Sequence, residues 1–110
     1  MNTTRHYGNL SLIVLALLSE RDMYGYEISE LVMNKSQMTI DIKAGTLYPL
    51  LKSLETQKLV VSYEELTANG KKRKYYRITP SGIHSLEKTK NERISYTKII
   101  NLFIAGEGLL

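Results

Sequence analysis

From Leu10 to Leu18 eight of nine side chains are apolar, and Ser11 is the only interruption. At about 100° per residue they point in every direction, so a helix here has no polar face and has to be covered all round. The run is far shorter than the ~20 residues a membrane-spanning helix requires. Behind Arg5 it imitates the apolar part of a secretion signal, but charged Ser19-Glu20-Arg21-Asp22 follows instead of a small-residue cleavage pattern. Secretion and membrane insertion are therefore not expected. A chain of 110 residues buries a modest share of its surface. One side of the helix is expected to meet its own core and the other a partner, with Leu10, Ile13 and Leu17 as candidate contact positions. The β-branched pair Ile13-Val14 leaves a buried strand as the alternative, although the run is long for one.

Asp22 is placed to cap a second helix, in which Tyr24, Ile28, Leu31 and Val32 form an apolar stripe at helical spacing and Tyr26 lies off it. Tyr24 is thus expected in the core. Asn34 to Thr39 reads as a loop and Ile40-Asp41-Ile42 as a very short strand. A third helix fits Lys43 to Lys58, with Leu47, Leu50, Leu51 and Leu54 on one face. Gly45, Tyr48, Pro49, Lys52 and Thr56 fall on the other. Pro49 removes a bond to the Gly45 carbonyl, so a local adjustment is expected in the first turn.

After Lys58 the period changes to two. Leu59-Val60-Val61-Ser62-Tyr63 and Arg73-Lys74-Tyr75-Tyr76-Arg77-Ile78 are β-type runs with Asn69-Gly70 as the turn between them. Alternation puts Tyr75 and Tyr76 on opposite faces without saying which is core. Thr79-Pro80 starts a last helix, Thr79 as cap and Pro80 where its missing N–H costs nothing. Its polar middle, Glu87 to Arg93, separates Ile83 and Leu86 from a late apolar patch of Tyr96, Ile99, Ile100 and Phe103. Gly106-Glu107-Gly108 is expected to end it. That patch has little left to pack against in its own chain. A dry dimer interface is the preferred use for it, and an effector pocket the other.

Helix, helix, short strand, helix, hairpin is the order of a winged helix-turn-helix: mainly α with a small β hairpin, followed by a C-terminal dimerisation helix. The expected division is a DNA-binding unit over 1–79 and the dimerisation helix over 80–110. Composition agrees with a folded chain, 43% hydrophobic and 24% charged. The net charge is +4, and residues 43–79 hold eight cations against three acids. Five of those cations lie between 71 and 77 with no acid among them. A solvated basic loop is the plain alternative to a polyanion contact. Lys52 and the cations of 71–77 can neutralise phosphates, Thr46 and Tyr48 can reach base edges or phosphates, and Gly45 permits close approach to a duplex.

Catalysis finds no foothold. There is no cysteine, which excludes thiol chemistry and suits a reducing compartment. His6 and His84 stand far apart with no carboxylate at ligand spacing, so no metal site is expected. Glu64 and Glu65, as neighbours in a strand, point to opposite faces. No phosphate-cradling loop or nucleophile motif occurs. No catalytic residue and no cofactor are assigned.

Three segments are more specific. Met23-Tyr24-Gly25-Tyr26-Glu27-Ile28, Gly45-Thr46-Leu47-Tyr48-Pro49-Leu50-Leu51-Lys52-Ser53-Leu54-Glu55 and Arg73-Lys74-Tyr75-Tyr76-Arg77-Ile78-Thr79-Pro80-Ser81-Gly82 together resemble the PadR family of prokaryotic transcriptional regulators. The last helix is similar to that of its short-tailed group. The resemblance implies a cytoplasmic homodimeric repressor that binds an inverted repeat in double-stranded DNA. It places Tyr26, Gly45, Thr46 and Tyr48 at the DNA surface, together with the wing cations Lys71, Lys72, Arg73 and Lys74; Lys43 and Lys52 are further candidate DNA contacts. Short-tailed relatives that bind flat drugs use tryptophan, and this chain has none, so the effector has no reading. The alternative function is a winged-helix module that joins protein complexes without reading DNA.

Overall fold

A computed structural model describes residues 4–105. Helix α1 (Thr4–Leu18) leads into a two-residue strand β1 (Met23–Tyr24), helices α2 (Gly25–Lys35) and α3 (Ala44–Thr56), strands β2 (Val60–Leu66) and β3 (Lys72–Ile78), and helix α4 (Pro80–Ile104). The strands form one antiparallel sheet in the order β1-β3-β2. This is the expected winged helix-turn-helix, mainly helical with a small hairpin.

The core forms around α1, which contributes Leu10, Val14, Leu15, Leu17 and Leu18. Ile28 and Val32 of α2, Leu47, Leu51 and Leu54 of α3, Met23, Val60 and Tyr76 of the sheet, and Leu86 of α4 close over it. Tyr76 is thereby the inward member of the tyrosine pair. No buried side-chain nitrogen or oxygen among the described residues lacks a partner.

Two local expectations are overturned. Asp22 does not cap α2. The chain pairs first as β1, Met23 opposite Tyr76 and Tyr24 opposite Tyr75, and α2 begins after Tyr24, whose N–H donates to the Glu27 carboxylate at 3.2 Å. Tyr24 therefore leaves the apolar stripe of α2 and stands half-buried on the sheet. Ile40-Asp41-Ile42 forms no strand; it is irregular, and Ile42 is an apolar plug in the core. One reason covers both. A strand this short exists only by pairing with an edge, and the edge of β3 opposite β2 is taken by β1.

The helix ends are unusual for their residues. At the end of α2 the Gln37 and Met38 N–H groups donate to the Asn34 and Met33 carbonyls, and at the end of α3 those of Lys58 and Leu59 donate to Glu55 and Leu54. These are Schellman closures. The left-handed position is held by Gln37 (φ 54°) and Lys58 (φ 64°), not by glycine, at a cost on the order of 1 kcal/mol each. In the first turn of α3 the Lys43 carbonyl accepts from both Thr46 and Leu47 at 2.9 Å, and the helix continues through Pro49. The hairpin turn is closed by Gly70 N–H to Thr67 at 3.0 Å and Thr67 N–H to Lys71 at 2.6 Å. Gly70 carries the positive φ, 83°, which glycine adopts without steric cost.

Where α4 starts, three elements are tied together. The Thr79 hydroxyl accepts from the Gly82 N–H at 3.0 Å and donates to the Lys58 carbonyl at 2.7 Å. The Thr79 N–H donates to the Leu59 carbonyl at 3.0 Å. Gly82 is buried there, and a Cβ on it would fall on the Leu59 carbonyl oxygen and 2.7 Å from Ile78 Cγ1. Backbone is pressed against backbone, so nothing flexible can yield. The glycines expected to end α4 lie outside the described residues; the helix closes at Ala105, whose N–H donates to Asn101 at 3.1 Å. Gly82→Ala is expected to cost about 1–3 kcal/mol by overpacking, although alanine is the better helix former. Denaturant unfolding measures this, and an unchanged midpoint would mean that α4 can shift away from Leu59.

Candidate nucleic-acid interface

The apolar face of α3 is used up in the common core, against α2 and β2, which leaves its polar face outside. Gly45, Tyr48, Pro49, Lys52 and Thr56 are all exposed and Thr46 is half-buried. Nothing lies within 4 Å of where a Gly45 side chain would start, so the helix start is bare. Lys43, just before the helix, is exposed and pairs with Asp41 at 2.7 Å, a surface pair of small energy. Tyr26, in the first turn of α2, is 62% exposed. The side chain of Tyr48 lies across the backbone of Gly25 in that same turn.

In the hairpin, side chains alternate between faces. Lys72 and Lys74 share the face of buried Tyr76, and Arg73 and Arg77 share that of half-buried Tyr75. Lys71, Lys72, Arg73 and Lys74 are all exposed. Lys72 approaches Glu64 only at 3.9 Å, Lys74 lies 5.8 Å from the centre of the Tyr76 ring, and Arg73 lies 4.4 Å over that of Tyr24. The wing cations remain available to an anion.

The outer face of the sheet carries a network with no signature in the sequence. The Asp22 carboxylate accepts from the Tyr63 hydroxyl at 2.6 Å and from the Arg77 Nε at 3.0 Å. Tyr63 stacks on Tyr75 at 5.7 Å between centroids, and Tyr75 meets Tyr24 edge-on at 5.5 Å. The link after α1 is thus tied to both wing strands. The hydrogen bond from Tyr63 holds the Asp22 carboxyl below its ordinary pKa, helped by Arg77 and opposed by burial. The same bond raises the Tyr63 phenol. Partners 41 and 55 residues apart leave no local signal, and Asp22 alone looks like a helix cap.

The expected dimer residues separate into two groups. Leu10 and Leu17 are 2% and 4% exposed in the chain's own core, so they are not free to meet a partner, and Ile13 is half-buried beside them. The intramolecular core takes this side of α1, which hydropathy alone offers equally to a second chain. The late part of α4 is different: Tyr96, Ile99 and Phe103 are 65%, 53% and 79% exposed, while Ile100 is half-buried. Ile94, Leu102 and Ile104 are exposed on the same helix as well. His84 is exposed, and among the described residues no three His, Asp or Glu side chains could share a metal ion. No described helix is long and apolar enough to cross a membrane.

Residues 14–88 match the sequence profile of the "Transcriptional regulator PadR-like family". The chain belongs to the PadR-like family. Members are transcriptional regulators that bind DNA, not enzymes. An uncharacterized protein of Lysinibacillus sphaericus is 39% identical over 99 residues, which is 90% of this chain and 91% of that one. A transcriptional regulator of Clostridium thermocellum superposes with a TM-score of 0.82 at 37% identity, covering 92% of this chain and 98% of its own. A PadR family transcription regulator of Clostridium difficile gives 0.76 at 32%, covering 87% and 98%. The profile spans α2, α3 and both wing strands, so the polar α3 face and the cationic hairpin lie within the PadR-like part of the chain.

Asp22 gives this PadR-like fold a pH signature. Its folded pKa lies below the unfolded one, so its contribution is present above the ordinary carboxylate range and is lost as pH falls through the folded value. Asp22→Asn is expected to lower stability near neutrality and to flatten the decline below about pH 4. Thermal unfolding of both proteins across pH 2–7 checks it; parallel curves would remove Asp22 from the acid transition.

Proposed function

We propose that this PadR-like regulator is a cytoplasmic homodimeric repressor that reads an inverted repeat in double-stranded DNA. The observation carrying this is the exposed polar face of α3 beside a hairpin whose cations 71–74 are all at the surface. In this reading residues 1–79 form the DNA-binding unit and 80–110 the dimerisation helix. Thr46 and Tyr48 contact base edges or flanking phosphates, and the bare start of α3 at Gly45 lets the helix approach the major groove. Tyr26, Lys43, Lys52, Lys71, Lys72, Arg73 and Lys74 hold phosphates. Tyr96, Ile99, Ile100 and Phe103 pair across the two-fold axis, where a patch this apolar would otherwise stand in water. Of Leu10, Ile13 and Leu17, Ile13 retains surface for the same contact.

Selection of a binding duplex from a randomised pool, followed by anisotropy titration against a scrambled duplex, tests the DNA reading. Tyr48→Ala is expected to cost about 1–3 kcal/mol on the selected duplex and little on the scrambled one. Lys71→Ala is expected to weaken both and to make the salt slope shallower by roughly one. A pool that never enriches would hand the chain to a protein-interaction role. Truncation after Arg93 tests the assembly: monomers or insoluble chain are expected, and a stable micromolar dimer in sedimentation would refute the α4 assignment.

A further inference from the structure

The contact between α3 and the first turn of α2 has a chemistry of its own. Gly25 is buried, and a Cβ built on it would meet the Tyr48 hydroxyl, with ring atoms Cζ and Cε1 at 2.7 and 2.8 Å. The hydroxyl end of the phenol therefore occupies the space where any other residue would have a side chain. Tyr48 is nevertheless 48% exposed: its hydroxyl end is set against Gly25 while about half of the residue stays open to solvent. Gly25 is not among the positive-φ glycines, so its backbone conformation does not demand glycine, and the space above it does. A tyrosine on a helix surface otherwise samples several rotamers, and restricting it before binding lowers the ordering cost at an interface.

We propose that Gly25 is a positioning residue for DNA recognition: by lacking a side chain it seats the Tyr48 ring in the one orientation that reaches the duplex. This rests on the DNA reading of Tyr48 above. Gly25 itself need not touch DNA. An added methyl group would lift the ring off α2. The far end of a tyrosine can swing aside, so the fold survives while the orientation is lost.

The test combines a DNA-free arm with a binding arm. In protein carrying ¹³C-labelled tyrosine rings, Gly25→Ala is expected to move the Tyr48 ring resonances and leave those of Tyr96 in place, with thermal unfolding still cooperative. Unmoved Tyr48 signals would overturn the proposal whatever the DNA result. In the binding arm, Gly25→Ala is expected to weaken the selected duplex about tenfold, within the range of one base contact, with the scrambled duplex and the salt slope unchanged. In a Tyr48→Ala background the same substitution is expected to do nothing more. A full additional loss in that background would show that Gly25 acts by another route. Should Tyr48→Ala itself leave the selected duplex unaffected, the DNA role of Tyr48 fails and the positioning role with it; the ring shift would then record packing alone.

Discussion

Covering α1 is the constraint on which the rest of the molecule depends. A helix apolar on nearly every side cannot remain in water, and a chain this small has few elements to hide it. α2, α3, the sheet and the start of α4 are all drawn in, and among the described residues five of the fifteen buried apolar side chains come from α1. Each covering element turns its own apolar stripe inward and so presents its remaining face to solvent. The exposed polar face of α3 is what remains after Leu47, Leu51 and Leu54 have been committed to the shared core.

Polar ties then fix what apolar burial leaves free. Burial is non-directional and would tolerate small rotations of the hairpin or of α4. The Thr79 hydroxyl, bridging the Lys58 carbonyl and the Gly82 N–H, sets where α4 leaves the domain. Asp22, bonded to Tyr63 and Arg77, ties the wing strands to the link after α1. A surface that has to match a duplex depends on such directional bonds, because hydrogen bonds to bases are short and angle-dependent.

The legible part of the fold follows from local rules. The leucine spacing of α3, the shift to period two after Lys58, the Asn69-Gly70 turn and the Thr79-Pro80 start all report on residues a few positions apart, and each element formed close to where it was expected. Surface candidates were legible too, since a residue off an apolar stripe has nowhere to go but outward; Tyr26, Gly45, Tyr48 and Lys52 are all exposed. β1 was not legible, because two residues become a strand only when another strand's edge is offered. The role of Asp22 is not legible, because a helix cap and a carboxylate bonded to distant Tyr63 and Arg77 look alike in sequence. For Leu10 and Leu17 hydropathy shows that a side chain is to be covered, not by which surface.

The sequence by itself determined the order and type of the main elements, the concentration of positive charge between residues 43 and 79, and the family, since periodicity, caps and motifs are short-range properties of the chain. Only the tertiary structure decided which tyrosine of the pair faces inward, which edge β1 completes, that Asp22 joins Tyr63 to Arg77, and that Tyr48 rests on Gly25. Those are contacts between residues far apart in sequence, and they exist only once burial of α1 has brought their elements together.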